Sequence, residues 1–341
     1  MKNTKSITAF FAGKPSGQML WYLDYTPGCI RNVPDELANY CDLLDDLGCC
    51  YPLSFSEPFM EVMDCSIKFN QTSCNNEVIQ EYITPIGSLR SVARNNHPIE
   101  YFIKSPHDCE IMAYVYKNTK LIPCDKCSDG VVHQVILGPS PVQNLLQWGT
   151  GIENFYFLMA DARSHLEELM DSMQMLQMHK TEIACSFDIP VIYQAENTST
   201  TMISPDVYVK YSLNQLTQQA EYIHSKKKKF VLHMCGLLKD LLLNIKQVGI
   251  DGIHSVTPPP VGNTMFNDVF TLFGNNFPIQ GRLGSTQWLN LSKIQILKNI
   301  HSILPAKIVF DRPFILLVTL DTCPTDYAEL KRLQSLLATA Y

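Results

Sequence analysis

Short apolar runs alternate with longer amphipathic stretches through most of this chain. HQVILGPSP reads as a strand running into a Gly-Pro loop. IPVIYQAE, FVLH, DGIHSV, FPIQG and PFILLVTL are further short apolar runs bounded by turn residues. Between and after them, SPDVYVKYSLNQLTQQAEYIHS, LLKDLLLNIKQVG, NDVFTLFG, LSKIQILKNIHSIL and DYAELKRLQSLLATA place apolar residues at helical spacing. Strand–helix repeats of this length predict an α/β fold, a parallel sheet closed as a (β/α)8 TIM barrel. No linker divides the chain and nothing repeats beyond the strand–helix unit. Residues 1–341 therefore read as one domain, with N-terminal additions inside residues 1–120.

The N-terminal third is patterned differently. TKSITAFFAGKPS predicts a short helix ended by Gly-Lys-Pro, and MLWYLDY (Met19–Tyr25) a strand. NVPDELANYCDLLDDLG has helical spacing and stops at Gly48, a suitable C-cap. From Cys65 to Lys104 the segments CSIKFNQ, EVIQEYITP, GSLRSVAR and PIEYFIK are short and β-rich, separated by Asn, Pro and Gly. They predict antiparallel hairpins attached to the main body, an N-terminal β-hairpin extension beside the helical one. SPHDCEIMAYVYKNT then starts a helix, with Ser105 as N-cap, Pro106 at the first helical position and Asp108 three residues after the cap. Helices dominate Ile152–Cys185. Their methionines recur at helical spacing, which favours core packing over metal binding.

Composition narrows the function. The 341 residues are 46% hydrophobic and carry a net charge of −6, so a nucleic-acid partner, which calls for a basic surface, is not expected. The one basic run, Lys226–Lys229, suits a solvated helix end. No segment approaches the ~18 apolar residues of a membrane span, and the N-terminus lacks a secretory pattern. The expected location is the cytoplasm, with most of the 12 cysteines reduced and the sequons at Asn70, Asn197 and Asn290 unused.

The chemistry concentrates at FVLHMCG, residues 230–236. In a (β/α)8 barrel the active site lies at the C-terminal ends of the strands, so His233 and Cys235 fall at the mouth. PFILLVTL ends in DTC, which places Cys323 at another late strand end. One imidazole and two thiolates suit a tetrahedral zinc with a position left open. The alternative is that both residues simply pack, since cysteine is often a small buried hydrophobe. Glu196, ending IPVIYQAE, is a fourth candidate ligand, or else a helix-capping or substrate-binding carboxylate. His254 in DGIHSV falls in the barrel interior or mouth with no partner visible in the sequence. CDKC, Cys124–Cys127, has no second CxxC and reads as a turn. GxGxxG, GxxxxGK[ST] and GxSxG motifs are absent.

The stretches QAENTSTTMISPDVYVKY and VLHMCGLLKDLLLNIKQVGIDGIHSVTPPPVGNT resemble the uroporphyrinogen decarboxylase superfamily, and within it the corrinoid-dependent methyltransferases. ITPIGSLR and FIKSPHDCEIMAYV resemble the segment those enzymes carry before their first long helices, so the likeness covers most of the chain. The resemblance implies a TIM barrel and a zinc at its mouth. It further implies methyl transfer to or from the corrinoid of a partner protein. Matched by motif, the zinc ligands are His233, Cys235 and Cys323, with Glu196 as an additional ligand or catalytic carboxylate. Asn197 and Arg282 are the candidate substrate-binding residues. The expected reaction takes a methyl group from a small methylated donor, a methyl ether or methylamine, to the corrinoid protein. The reverse, thiol-methylating direction and a decarboxylase-like activity stay open. Porphyrin decarboxylation is disfavoured, since the arginine-rich R-Q-A-G-R stretch has MLWYLDYTPG in its place. Where relatives often carry Gly-Gly, this chain has Gly281-Arg282, which narrows the mouth.

Overall fold

The computed structural model describes residues 4–25, 28–124, 132–320 and 324–341. Eight parallel strands form one sheet: β1 (Trp21–Asp24), β2 (Ser54–Ser56), β3 (Gln134–Leu137), β4 (Val191–Gln194), β5 (Lys229–His233), β6 (Gly252–Val256), β7 (Ile279–Leu283) and β8 (Phe314–Thr319). Their order in the sheet is β1-β8-β7-β6-β5-β4-β3-β2, which follows the chain apart from β1 joining β8. That order, with every pairing parallel, is the (β/α)8 plan.

Side-chain contacts show the sheet to be curled. β1 and β4 lie five places apart, which in a flat sheet would separate them by roughly 24 Å at ~4.8 Å per strand. Yet the hydroxyls of Tyr22 on β1 and Tyr193 on β4 both reach the ring of His254 on β6, at 2.6 and 3.2 Å. Only a strongly curled sheet brings three such strands to one ring.

Seven of the eight strands coincide with the apolar runs of the sequence. The exception is β2, three residues reading SFS and paired with β3 from Ser54↔Gln134 to Ser56↔Ile136. It has no apolar run because its two serines are exposed and only Phe55 is partly covered. The main helices are α1 (Pro106–Lys117), α2 (Gly151–Asp161), α3 (Arg163–Ser186), α4 (Leu213–Ser225), α5 (Leu242–Val248), α6 (Phe266–Phe273), α7 (Lys293–Ile303) and α8 (Tyr327–Leu337). None of the described helices is long and apolar enough to cross a membrane.

The hairpin extension lies between β2 and β3. Four antiparallel strands, Lys68–Cys74, Glu77–Thr84, Gly87–Arg94 and His97–Glu100, make a separate sheet. Two of its turns are Asn75–Asn76 and Asn95–Asn96, all four residues at positive φ, the conformation that two-residue hairpin loops require and asparagine tolerates. The α1 cap is as the sequence indicates. Ser105 Oγ accepts from the Asp108 backbone amide, while Asp108 Oδ2 accepts from the Ser105 amide. One expectation is corrected: residues 32–48 do not form a single helix. A 3-10 turn, Asp35–Leu37, precedes a separate helix, Tyr40–Asp46, because Asn39 turns extended and caps the Cys41 amide. The α3 methionines pack as their spacing indicates at Met170 and Met173, which are buried, whereas Met175 faces out.

Candidate functional site at the barrel mouth

β5 carries His233 as its last residue. Val231 and His233 lie on one face of the strand, and the register sets His233 beside His254 and Val231 beside Tyr193. On β7, a Cβ on Gly281 would strike Phe266 and Phe314, so that residue faces the helices. Its neighbours Gln280 and Arg282 therefore face the barrel interior, as period-two alternation requires. The interior thus collects Tyr22, Tyr193, His233, His254, Gln280 and Arg282.

The two histidines meet through their Nδ1 atoms, 2.7 Å apart. His254 Nε2 lies 2.6 Å from Tyr22 Oη, and His254 Nδ1 lies 3.2 Å from Tyr193 Oη. Burial holds both imidazoles neutral at ordinary pH, and the Arg282 charge acts in the same direction. His233 is lowered to about 4, and His254 is held well below its usual range by burial, with His233 itself also contributing. Burial likewise pushes both tyrosines up, so they remain hydroxyls. Ser255, next to His254, is a buried non-glycine residue at φ +67°, and the β6–β7 register shifts there. Such bulges re-aim side chains beside functional sites.

Beyond His233 the chain turns sharply. The Asn197 amide donates to His233 O at 2.7 Å, and the Met234 amide donates to His254 O at 3.0 Å, which ties three strand ends together. The Cys235 thiol donates to Asn197 Oδ1 at 2.7 Å. Gly236 sits at φ +88°, where a Cβ would lie 2.9 Å from Ser199 Oγ, so the glycine after the cysteine is required by both backbone and space. Arg282 Nε donates to Thr319 Oγ1 at 3.2 Å, linking β7 to β8.

Glu196 is fully buried but belongs to a different cluster. Oε1 accepts from Ser140 Oγ at 2.7 Å and Thr198 Oγ1 at 2.8 Å. Oε2 accepts from the Ser140 amide at 2.8 Å and Gln194 Nε2 at 3.1 Å. Gln194 Oε1 in turn accepts from Gln219 on α4, on the helix side of the sheet. Burial raises the Glu196 pKa while these bonds lower it, and burial prevails.

A family model described as uroporphyrinogen decarboxylase (URO-D) matches residues 89–326, more than two thirds of the chain. The chain belongs to the uroporphyrinogen decarboxylase family. No curated protein matches the sequence. Among solved structures, this family member superposes on a methyltransferase from Methanosarcina mazei with a TM-score of 0.58 at 15% identity, covering 98% of each chain. At that identity the likeness shows the fold. A D-psicose 3-epimerase with D-fructose has a TM-score of 0.37 at 10% identity, covering 68% of this chain and 83% of its own. The D-psicose 3-epimerase of Clostridium cellulolyticum H10 with D-tagatose has 0.33 at 9%, covering 61% and 88%.

The expected site residues of this uroporphyrinogen decarboxylase family member divide into three groups. His233, Cys235, Asn197 and Arg282 come together at the mouth. Cys323, like Cys127 of the CDKC segment, lies outside the described residues. Glu196 is corrected: it does not join His233 and Cys235. Among the described residues no three His, Cys, Asp or Glu side chains stand as a metal-binding group. Four donors already occupy the four lone-pair directions of its carboxylate. The donor chemistry left at the mouth still suits a zinc ion. His233 is neutral, its Nδ1 is engaged, and its Nε2 meets no hydrogen-bonding partner among the described residues. That is the usual state of a histidine ligand, whose second nitrogen is tied by a neighbour.

Tyr22, Tyr193 and Gln280 were not legible as site residues. Gln280 is 1% exposed, and neither atom of its amide has a partner among the described residues. A polar residue inside the apolar run FPIQG was the only signal available for it.

Proposed function

We propose that this protein is a zinc-dependent methyltransferase that moves a methyl group from a small methylated donor, of the methyl ether or methylamine type, to the corrinoid of a partner protein. The observation that carries the proposal is the His233–Cys235 pair at the end of β5. A neutral imidazole with its Nδ1 engaged stands one residue from a thiol held by Asn197. Family membership and the methyltransferase fold of the Methanosarcina mazei protein support it.

His233, Cys235 and Cys323 would hold the zinc. When bound, the metal would supply a Lewis acid for the heteroatom that carries the methyl group. The chain's own residues do the rest. Asn197 orients the Cys235 sulfur, and its own position is set by its amide bond to His233 O. Arg282, fixed to Thr319, places a positive charge beside His233, which favours a thiolate and an electron-rich leaving group in the same space. Gln280 offers a buried donor and acceptor to a polar atom of the substrate. The partner's corrinoid approaches from the face where the strands end.

The test pairs two assays on zinc-loaded enzyme: cob(I)alamin with methyl ethers and methylamines, and methylcobalamin with simple thiols. Demethylation in the first is the expected result. Turnover only with thiols would reverse the assigned direction. Wild-type protein with no zinc, or zinc unchanged by Cys235→Ala and Cys323→Ala, would overturn the proposal in favour of a metal-free decarboxylase-like enzyme.

A further inference from the structure

We infer that the cleft between the hairpin sheet and the barrel is a binding site for a small neutral aromatic molecule carrying one hydroxyl, a phenol. None of the residues lining it belongs to the cluster around His233, and the inference does not rest on the zinc reading.

Size sets the first limit. The cleft has a volume of about 150 Å³. An apolar cavity of about 150 Å³ takes up benzene, so one six-membered ring fills such a space. Tyr82 and Phe102 stand on the hairpin side, Tyr116 on α1, and Leu145 and Trp148 on the barrel side, in the π-helical turn Leu145–Gly149. Turns of that kind recur at functional sites. The walls suit a ring: Tyr82 and Phe102 pack with centroids 5.2 Å apart and planes tilted by 53°, and Trp148 is 54% exposed at the open side.

Charge sets the second limit. Glu61 is the one charged residue lining the cleft, and Lys180 Nζ already pairs with it at 2.5 Å. A charged ligand would find no counter-charge there, so the occupant is neutral.

Hydrogen bonding sets the third. The Tyr82 and Tyr116 hydroxyls have no hydrogen-bond partner among the described residues, although tyrosine hydroxyls that leave solvent usually find one. Burial raises the pKa of both, with Tyr82 adding to the rise of Tyr116 and Glu61 to that of each. The three groups therefore lie within electrostatic reach of one another, and both tyrosines stay protonated, able to donate or accept. A ligand hydroxyl is also donor and acceptor and answers them. A hydrocarbon ring does not.

The experiment uses the full chain with 15N-labelled tryptophan. Trp21, Trp148 and Trp288 give three indole signals, and Trp148→Phe assigns the one in the cleft. Phenol, toluene, benzoate and benzylammonium are titrated in turn. Phenol is expected to shift the Trp148 signal saturably and to leave fully buried Trp288 in place. Toluene, a ring of the same size without the hydroxyl, is expected to bind about 3- to 10-fold more weakly, the usual contribution of a neutral hydrogen bond. The two charged rings are expected to bind more weakly than phenol. Tyr82→Phe/Tyr116→Phe keeps both rings, and in it phenol is expected to fall to the level of toluene. Each single variant carries the same test if the double variant fails to fold. A Trp148 signal that phenol does not move overturns the inference. Toluene or a charged ring binding as tightly as phenol overturns it too, as does phenol affinity unchanged in the tyrosine variants. Neither zinc nor a cobalamin enters the assay, so its result and that of the proposed function are read separately.

Discussion

Replacing Glu196 separates a structural carboxylate from a metal ligand. In Glu196→Ala four hydrogen bonds disappear. Two of the donors adapt. Thr198 Oγ1 lies 3.3 Å from Gln143 Oε1 and turns to it, and the Ser140 hydroxyl rotates. The Ser140 amide and the Gln194 side-chain amide have fixed directions and are left unpaired in a buried site. Each costs about 1–3 kcal/mol, so Glu196→Ala is expected to lose about 4 kcal/mol. Glu196→Gln behaves differently. Its oxygen takes the Oε2 place and satisfies both fixed donors. Its NH2 takes the Oε1 place and meets two hydroxyls that can turn to accept. Burial raises the Glu196 pKa, so the negative charge does not itself stabilise the fold, and its removal is tolerated. Glu196→Gln is therefore expected to cost about 1 kcal/mol or less. Urea unfolding at pH 7.5, followed by the fluorescence of fully buried Trp288, measures both. Zinc content measured on the same samples should be unchanged in Glu196→Gln. A Gln variant as unstable as the Ala variant, or one that loses its zinc, would refute this account.

Three other outcomes follow from the same geometry. Metal-free protein should lose stability as pH falls from 6.5 to about 4. The unfolded His233 takes up a proton near the ordinary imidazole value of 6.5, whereas the folded one resists until about 4. His233 alone is worth about 3 kcal/mol over that window, measured as denaturation midpoints against pH, and a flat profile would contradict its burial as a neutral ring. Gly281→Ala should cost about 1–3 kcal/mol in chemical denaturation, because the new methyl would lie 2.5 Å from Phe266 and 2.6 Å from Phe314. Ser255→Gly should leave the melting temperature within a few degrees of wild type, since relieved strain offsets added chain entropy. Ser255→Val should lower it clearly, because a branched side chain is poorly tolerated at φ +67°.

Much of the architecture is local and therefore legible in the residue order. The apolar runs from HQVILG to PFILLVTL announced their strands because strands buried on both faces admit few polar residues. The Ser105–Asp108 capping box and the Asn-Asn hairpin turns are settled within four residues of chain. β2 escaped because a three-residue strand with exposed serines has no pattern to show. The break at Asn39 escaped because helical spacing continues across it, and only the capping bond stops the helix.

The site itself divides along the same line. His233, Cys235 and Gly236 could be singled out from FVLHMCG alone, since a strand end in this fold opens at the mouth whatever its partners are. What surrounds His233 was decided by the curling of the sheet. Tyr22 and His254 are 232 residues apart in the chain and 2.6 Å apart in space. Glu196 stands at a strand end just as His233 does, yet its carboxylate turned to Ser140, Thr198 and Gln194 on the helix side. Sequence spacing fixes which residues reach a strand terminus. Which way each side chain then points depends on where buried donors from distant segments are waiting, and that is known only once the chain has folded.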